Sequence, residues 1–186
     1  MVTVLVALVL VFGFVRPFVV EAFRIPSESM VPTLLVNDRV LANKFVYRFS
    51  EPKRGDIVVF ESVEGGKKNL IERIVGLLFE GPEGEQYGGK EDTLIKRIVG
   101  VEGDEIEVQN GRLLVNGEPQ QEPYLNGGDP PRGSYGPTTV PEDHVFVMGD
   151  NRNNSGDSRV FGPVPLENLK GEAFLRFWPV FRIGSF

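Results

Sequence analysis

The chain contains no cysteine and a single histidine, His144. Without cysteine there are no disulfide bonds, no thiolate metal sites and no cysteine nucleophile. A single histidine also excludes a metal site built from several histidines. The two commonest kinds of transition-metal site, built from cysteines or from several histidines, are therefore excluded.

Positive charge is scarce as well. Twenty Lys and Arg residues against 26 Asp and Glu residues give a formal net charge of -6 at pH 7, and the sequence pI is ≈ 5.0. No basic cluster is longer than the two residues of Lys67-Lys68. Because binding to phosphate backbones requires a basic face, this charge balance argues against nucleic acid as a partner.

The sequence also has no helical heptads. Its 22 Gly, 14 Pro and 14 Phe residues are typical of short strands joined by turns. A chain of 186 residues is long enough to bury one good core. We therefore expect an all-β fold with one soluble domain.

Only the start of the chain carries a long apolar run. Residues 1–15 are uncharged, and the run continues past Arg16-Pro17 to about Phe23. That length approaches the roughly 20 residues a helix needs to cross a bilayer. A cleaved signal peptide would begin with basic residues and end in a small-x-small site, and a core helix is rarely apolar all round. We predict a transmembrane anchor over residues 1–22 and a β-rich domain over residues 23–186.

The flanking charges leave the orientation of this anchor open. No Lys or Arg precedes the run, whereas Arg16 and Arg24 follow it. Taken literally, the positive-inside rule would place the C-terminal side in the cytoplasm. We suspect that an upstream basic segment is missing from this sequence.

Several segments combine apolar, β-branched and aromatic residues between turns, and we predict them as strands. They are 40–42, 57–60, 95–100, 105–109, 112–115, 145–148 and 174–183. Asn110-Gly111 predicts a tight hairpin. A Gly/Glu-rich linker lies near 80–92 and a loop near 126–137. The segment 71–76 nearly repeats 95–100, with Glu72 in place of Lys96, and we interpret the two as strands of similar register.

Ser29 and Lys96 are the candidate catalytic pair. Ser29 lies in a Pro-flanked stretch directly after the apolar run, and a serine in such a place is also a common turn residue. Alternation along the predicted strand places Lys96 on one face with Leu94 and Ile98. Burial there would lower the pKa of the amine and make it a general base. The alternative is a lysine at a sheet edge that extends to water.

The polar segment 149–159 follows a predicted buried strand, where functional loops are often found. It resembles a calcium loop superficially, but Arg152 and Phe161 occupy positions that need oxygen ligands. The alternative interpretation is a structural turn held by an ion pair between Asp157 and Arg159.

Two other catalytic arrangements are disfavoured. Ser50 and Lys53 have the Ser-x-x-Lys spacing of β-lactamases, but Pro52 would disrupt the helix that this motif needs. His144 and Ser29 could form a triad with an aspartate, but His144 lies where a loop enters a strand.

Taken together, four segments in order resemble the motifs of type I signal peptidases. They are Ser29-Met30-Val31-Pro32-Thr33-Leu34, Arg54-Gly55-Asp56-Ile57-Val58-Val59-Phe60, Lys96-Arg97-Ile98-Val99-Gly100 with Gly103-Asp104, and the segment 149–159. The resemblance implies a membrane-bound serine endopeptidase that has a mainly antiparallel β fold and uses no metal and no cofactor. Its catalytic domain would lie on the extracytoplasmic side of the cell membrane, and it would cleave signal peptides from exported preproteins after small residues, as in Ala-x-Ala sites.

The resemblance also implies roles for individual residues. Ser29 would be the nucleophile and Lys96 its general base, with Ser155 holding the lysine through its hydroxyl. Ser27 and the backbone N–H of Ser29 would form the oxyanion hole. Asp157 and Arg159 would support the surroundings of the lysine. Shallow apolar pockets for the substrate would be lined by Phe23, Ile25, Pro26, Met30 and Ile95.

Two departures from the family pattern concern the anchor and the lysine motif. The anchor lacks a basic flank, and Glu102 stands where proline is common.

We expect a monomer whose partners are preproteins and the lipid bilayer. The competing hypotheses are a self-cleaving Ser-Lys protein and a membrane-tethered β-rich binding module without catalysis.

Overall fold

The computed structural model describes residues 19–62, 93–125 and 130–186. In chain order the strands are β1 (Val20–Arg24), β2 (Arg39–Asn43), β3 (Ile57–Glu61), β4 (Thr93–Val101), β5 (Glu105–Gln109), β6 (Arg112–Val115), β7 (Glu118–Pro119), β8 (Tyr135–Thr139), β9 (His144–Met148), β10 (Val164–Pro165) and β11 (Leu169–Trp178). A helical turn, α1, spans Ser158–Phe161, and 3-10 turns span Val46–Arg48, Pro123–Leu125, Leu166–Asn168 and Val180–Arg182.

The strands form two antiparallel sheets. The larger has seven strands in the order β1-β2-β11-β3-β4-β9-β10, and the smaller has four in the order β7-β6-β5-β8. The predicted mainly β, antiparallel fold is confirmed. The strand β4 lies between β3 and β9 in the larger sheet, so its central residues are buried.

One core cluster fixes the loop that follows β1. Ile25, Met30 and Leu34 from this loop are at most 1% exposed and belong to the same buried cluster as Val59 of β3 and Ile95 of β4. Burying a side chain of this size contributes roughly 1.5–3 kcal/mol. Apolar packing therefore holds an irregular loop against the larger sheet, with Ser29 next to the buried Met30.

The predicted hairpin at Asn110-Gly111 is confirmed. The strands β5 and β6 have the predicted bounds and pair antiparallel, with Gln109 opposite Arg112. The turn residues have positive φ angles, 52° at Asn110 and 74° at Gly111. Asparagine and glycine are favoured there because a two-residue hairpin turn of this type needs positive φ at both positions.

The predicted loop near 126–137 is wrong at its C-terminal end. Tyr135–Thr139 form β8, although the segment contains Gly136 and Pro137. Proline is tolerated because β8 pairs only with β5 and lies at the edge of the smaller sheet. Residues 126–129 lie outside the described residues.

The last strand begins and ends earlier in the chain than the predicted range 174–183. The strand β11 runs from Leu169 to Trp178, and a 3-10 turn follows at Val180–Arg182. Lys170 and Glu172 lie within β11, so this strand starts earlier than the aromatic residues indicate. Pairing with β2 and β3 on its two sides outweighs the polar character of this first half.

The predicted anchor lies mostly outside the described residues, which begin at residue 19. Its C-terminal boundary differs from the prediction, because residues 20–22 belong to the strand β1 and pair with β2. An apolar run alone does not distinguish a strand from the end of a helix. No helix in the described part of the chain is both long and apolar enough to cross a bilayer. The predicted linker near 80–92 and the near repeat at Glu72 also fall outside the described ranges.

Candidate active site

Ser29 lies in a closed loop between β1 and β2, residues 25–38, which we call the Ser29 loop. Two backbone hydrogen bonds close its neck: Ile25 N donates to Asp38 O at 2.9 Å, and Asn37 N donates to Ile25 O at 2.9 Å. Asn37 has a φ of 73°, a left-handed conformation that asparagine tolerates. The loop therefore has fixed ends, with Ser27 and Ser29 between them.

The side chains of Ser29 and Lys96 meet directly. Lys96 Nζ donates to Ser29 Oγ at 2.8 Å and to the carbonyl oxygen of Ile95 at 3.0 Å. Lys96 is only 3% exposed and Ser29 only 7%. The structure thus brings together the two residues that the sequence predicts as a pair, although they are 67 positions apart.

The surroundings of Lys96 lower its pKa. Burial disfavours the ammonium and lowers the pKa to about 8, although the negative charges of Asp157 and Asp150 act in the opposite direction. Leu94 and Ile98 pack in a single apolar cluster, as the predicted alternation along β4 requires. The lysine is therefore a desolvated amine and not a sheet-edge lysine that extends to water.

Ser27 is also close to Ser29. Its hydroxyl donates to Ser29 Oγ at 3.3 Å, and the residue is exposed. A second hydroxyl therefore lies beside the candidate nucleophile on its solvent side.

The segment 149–159, which we call the glycine-aspartate loop, docks against the Ser29 loop. Asn151 N donates to Ser29 O at 3.0 Å, and Asn151 Nδ2 donates to Glu28 O at 3.1 Å. A Cβ at position 149 would clash with Ser29 O and with the Ser155 hydroxyl. Glycine is therefore required at position 149 by the close approach of the two loops.

The predicted contact between Ser155 and Lys96 is not made. Ser155 Oγ is buried and has no hydrogen-bond partner among the described residues. The hydrogen bonds of Lys96 Nζ go to Ser29 and to Ile95 O instead. Ser155 Oγ faces Gly149, on the side where this loop meets Ser29 O.

The ion pair between Asp157 and Arg159 is confirmed. Arg159 Nε and Nη2 each donate to the Asp157 carboxylate at 2.8 Å, and the Asp157 side chain is fully buried. Asp157 Oδ2 also accepts from Gly149 N at 3.1 Å, and Arg159 Nη2 donates to Arg152 O at 2.6 Å. The pair therefore shapes the glycine-aspartate loop from within.

Sequence reasoning missed a second buried ion pair. Arg97 donates to both carboxylate oxygens of Asp150, at 2.9 and 2.7 Å, and Thr33 Oγ1 donates to the same carboxylate. The Arg97 guanidinium also lies 3.9 Å from the centre of the Tyr124 ring. An arginine buried inside a strand as apolar as β4 needs a buried partner of opposite charge. The presence of an arginine in this predicted strand was therefore the sequence signal that could have indicated the ion pair.

The predicted pocket residues divide into two groups. Ile25, Met30 and Ile95 are 1%, 0% and 7% exposed and belong to the core cluster that supports the Ser29 loop. Phe23 is half-buried against the same cluster, whereas Pro26 is exposed. Only the last two offer appreciable surface to a substrate in this structure.

His144 is not part of this arrangement. It is the first residue of β9, whereas Gly149 follows the last residue, so four strand steps, about 13 Å, separate the two ends. Its Nδ1 contacts Glu142 O at 2.6 Å. The described geometry thus favours Lys96 over His144 as the partner of Ser29.

The chain is similar to known proteins over almost its whole length. The family model described as signal peptidase, peptidase S26, matches residues 1–178. A signal peptidase I of Leptolyngbya laminosa is 43% identical over 98% of this chain and 80% of its own length. A probable signal peptidase I-2 of Synechocystis is 45% identical over 98% of this chain and 73% of its own length.

A relative from another bacterium and a solved structure carry the same name. The signal peptidase I P of Bacillus subtilis subsp. natto is 37% identical over 97% of this chain and 88% of its own length. A crystal structure of a signal peptidase I from Enterococcus faecalis is 26% identical and has a TM-score of 0.47, covering 66% of this chain and 97% of that one. On the family match and the sequence identities, this chain belongs to the signal peptidase family, peptidase S26.

Proposed function

We propose that this chain is a membrane-bound serine endopeptidase that removes N-terminal signal peptides from exported preproteins. The family and the names of its relatives support this substrate class. The observation that carries the mechanism is the 2.8 Å hydrogen bond between Lys96 Nζ and Ser29 Oγ inside the protein. It places a weakly basic amine against a serine hydroxyl without any histidine.

Ser29 and Lys96 divide the chemistry between them. When Lys96 is neutral, its lone pair accepts the Ser29 proton while Ser29 Oγ attacks the scissile carbonyl carbon. The resulting ammonium returns that proton to the leaving amine, which departs with the mature chain and leaves an ester on Ser29. A water molecule, deprotonated by the neutral Lys96, then hydrolyses this ester.

The oxyanion of each tetrahedral intermediate needs hydrogen-bond donors. Ser27 Oγ, 3.3 Å from Ser29 Oγ, and the backbone N–H of Ser29 are the donors we assign to it. Removing one such donor typically lowers kcat about 10²- to 10³-fold. Asp157 and Arg159 hold the glycine-aspartate loop, which contacts Ser29 O through Asn151.

Substrate selection would take place beside Ser27 and Ser29. Phe23 and Pro26 offer apolar surface there, over a floor of Ile25, Met30 and Ile95. A shallow apolar surface accepts small residues such as Ala before the cleaved bond. Core side chains that are already packed leave little volume for larger ones.

We propose that the protein lies in the cell membrane as a single-pass monomer, with the β-rich domain, from β1 onward, on the extracytoplasmic side. The apolar run 1–15 supports an anchor, and the family supports the orientation. Exposed apolar side chains near the C-terminus also favour a lipid partner, since large apolar patches on a surface mark interaction sites. They are Trp178, Val180, Phe181 and Ile183.

Paired substitutions test the catalytic assignment. Ser29→Ala and Lys96→Met should each lower the rate of preprotein cleavage in membranes by at least about a thousandfold. Ser50→Ala and Lys53→Met are matched controls because they change the other Ser-x-x-Lys pair, and they should cleave like the wild type.

Wild-type activity in both Ser29→Ala and Lys96→Met would refute the enzymatic proposal. A wild-type protein that binds preproteins without cutting them would support the binding-module alternative. A wild-type protein that cuts only its own chain would support self-cleavage.

A further inference from the structure

The C-terminal part of the chain folds back on the Ser29 loop. Arg176 N donates to Gly184 O at 2.8 Å and Gly184 N donates to Arg176 O at 3.1 Å, which closes residues 176–184 into a turn. Arg182 N donates to Pro179 O at 2.9 Å within it. We call residues 176–184 the C-terminal turn.

Two arginines of this turn contact the Ser29 loop. Arg182 Nη1 donates to both carboxylate oxygens of Asp38, at 3.0 and 2.9 Å. Arg176 Nη1 donates to Thr33 O at 2.8 Å and lies 3.8 Å from Asp38 Oδ2. Arg176 Nε also donates to Arg182 O, so the two contacts form one unit.

Asp38 links this unit to the neck of the Ser29 loop. Its carbonyl oxygen accepts from Ile25 N, and its Oδ2 accepts from Leu35 N at 2.9 Å. The residue is only 2% exposed. A carboxylate so buried needs a cation, because an uncompensated buried charge is strongly destabilising. Arg182 therefore stabilises the residue at which the loop is closed.

The Ser29 loop is thus held from two sides. On one side the glycine-aspartate loop contacts it, through Asn151 to Ser29 O and through Asp150 to the Thr33 hydroxyl. On the other side Arg176 binds the carbonyl oxygen of the same Thr33, and Arg182 binds Asp38. The glycine-aspartate loop contains residues that the sequence predicts as part of the site, whereas the C-terminal turn contains none of them.

We propose that Arg182 is a positioning residue, which through Asp38 holds the Ser29 loop so that Ser29 Oγ stays in line with Lys96 Nζ. This inference rests on the proposed function of Ser29 and Lys96. The loop is not part of a strand, so its orientation depends on these side-chain contacts and on its packing. A misplacement of about 1 Å can lower a rate about 10²-fold, even when its cause lies far from the reacting atoms.

Arg182→Gln tests the inference, with Arg182→Lys as the rescue variant. A single nitrogen, Nη1, contacts both Asp38 oxygens, so one ammonium can replace it. Lys170→Gln is the control, because Lys170 lies on β11 and contacts Thr93 and Glu61, away from the Ser29 loop. The substrate is a peptide with an Ala-x-Ala cleavage site, the full chain is kept in detergent, and kcat and KM are measured well below each variant's Tm.

We expect Arg182→Gln to lower kcat about 10- to 100-fold with KM within about twofold of the wild type, because misplacing Ser29 affects the reacting atoms and not substrate binding. Arg182→Lys should recover most of kcat, and Lys170→Gln should match the wild type. A folded Arg182→Gln variant with wild-type kcat would overturn the inference, and so would a loss explained entirely by its unfolded fraction. If the wild type itself does not cleave the peptide, the result contradicts the proposed function, on which the role of Arg182 depends.

Discussion

At the scale of single residues, the behaviour of Lys96 follows from its burial. An ammonium loses hydration when it is taken from water, and two carboxylates, Asp157 and Asp150, recover only part of that loss. The result is a pKa of about 8 in place of 10.5. A general base is most effective when its pKa lies near the working pH, so desolvation gives lysine a role that histidine fills elsewhere.

This desolvation should also reduce the stability of the folded protein. Between pH 8 and 10.5 the unfolded chain binds the Lys96 proton and the folded chain does not, so wild-type stability rises with pH in this window. Lys96→Met removes the titrating group. The difference between the two free energies of unfolding, Lys96→Met minus wild type, should therefore be largest below pH 8. It should fall by about 3 kcal/mol by pH 10.5.

Urea unfolding at several pH values measures this difference. Lys53→Met, the same change at an exposed position, is the control. If the curves for Lys96→Met and the wild type run parallel from pH 7 to 10.5, Lys96 is not a desolvated amine.

At the scale of strands and loops, local sequence patterns predicted the features that depend only on residues close together in the chain. Alternation along β4 placed Leu94 and Ile98 together correctly, and Asn110-Gly111 predicted its hairpin. The failures at β1 and β8 arise where pairing with a distant strand decides the conformation. Composition alone indicated a helix end in the first case and a loop in the second.

Gly149 provides a test of the contact between two loops. In Gly149→Ala the new methyl group would meet Ser29 O and Ser155 Oγ, so the glycine-aspartate loop or Ser29 has to move. We expect kcat for peptide cleavage to fall about 10- to 100-fold, since the displaced group is the candidate nucleophile. Steady-state kinetics at a temperature where the variant is folded provides the measurement.

Gly156→Ala is the matched control, because a methyl group there would meet nothing within 4 Å and the residue lies in the same loop. It should keep wild-type kinetics. Equal activity in both alanine variants would show that the two loops need not approach closely for catalysis.

At the scale of the whole molecule, the candidate site draws on segments from both ends of the chain. Arg182 and Asp38 are 144 positions apart, and Arg97 and Asp150 are 53 apart. The sequence predicted Ser29, Lys96 and the ion pair of Asp157 with Arg159 because these residues lie in recognisable motifs. It could not predict the pairs of Arg182 with Asp38 and of Arg97 with Asp150, since these long-range contacts depend on the strand order of the larger sheet.

The close approach of two loops explains why Ser155 does not make the predicted contact with Lys96. The motif gives its position in the loop, but the direction of its hydroxyl depends on how closely Gly149 approaches Ser29. The buried roles of Ile25 and Met30 likewise follow from packing between β1, β2 and β4, which the order of residues alone does not show.

The central claim is that a desolvated Lys96 serves as the base for Ser29, and the pH dependence of kcat/KM tests it most directly. With a peptide substrate that has no titrating groups between pH 6 and 11, the pH dependence of kcat/KM reports only the titrating groups of the free enzyme. We expect kcat/KM to rise with pH as Lys96 loses its proton and to level off above a midpoint near pH 8. A midpoint near 10.5, the value of an ordinary lysine, would contradict the claim, as would one near 6.5, the value of an ordinary histidine.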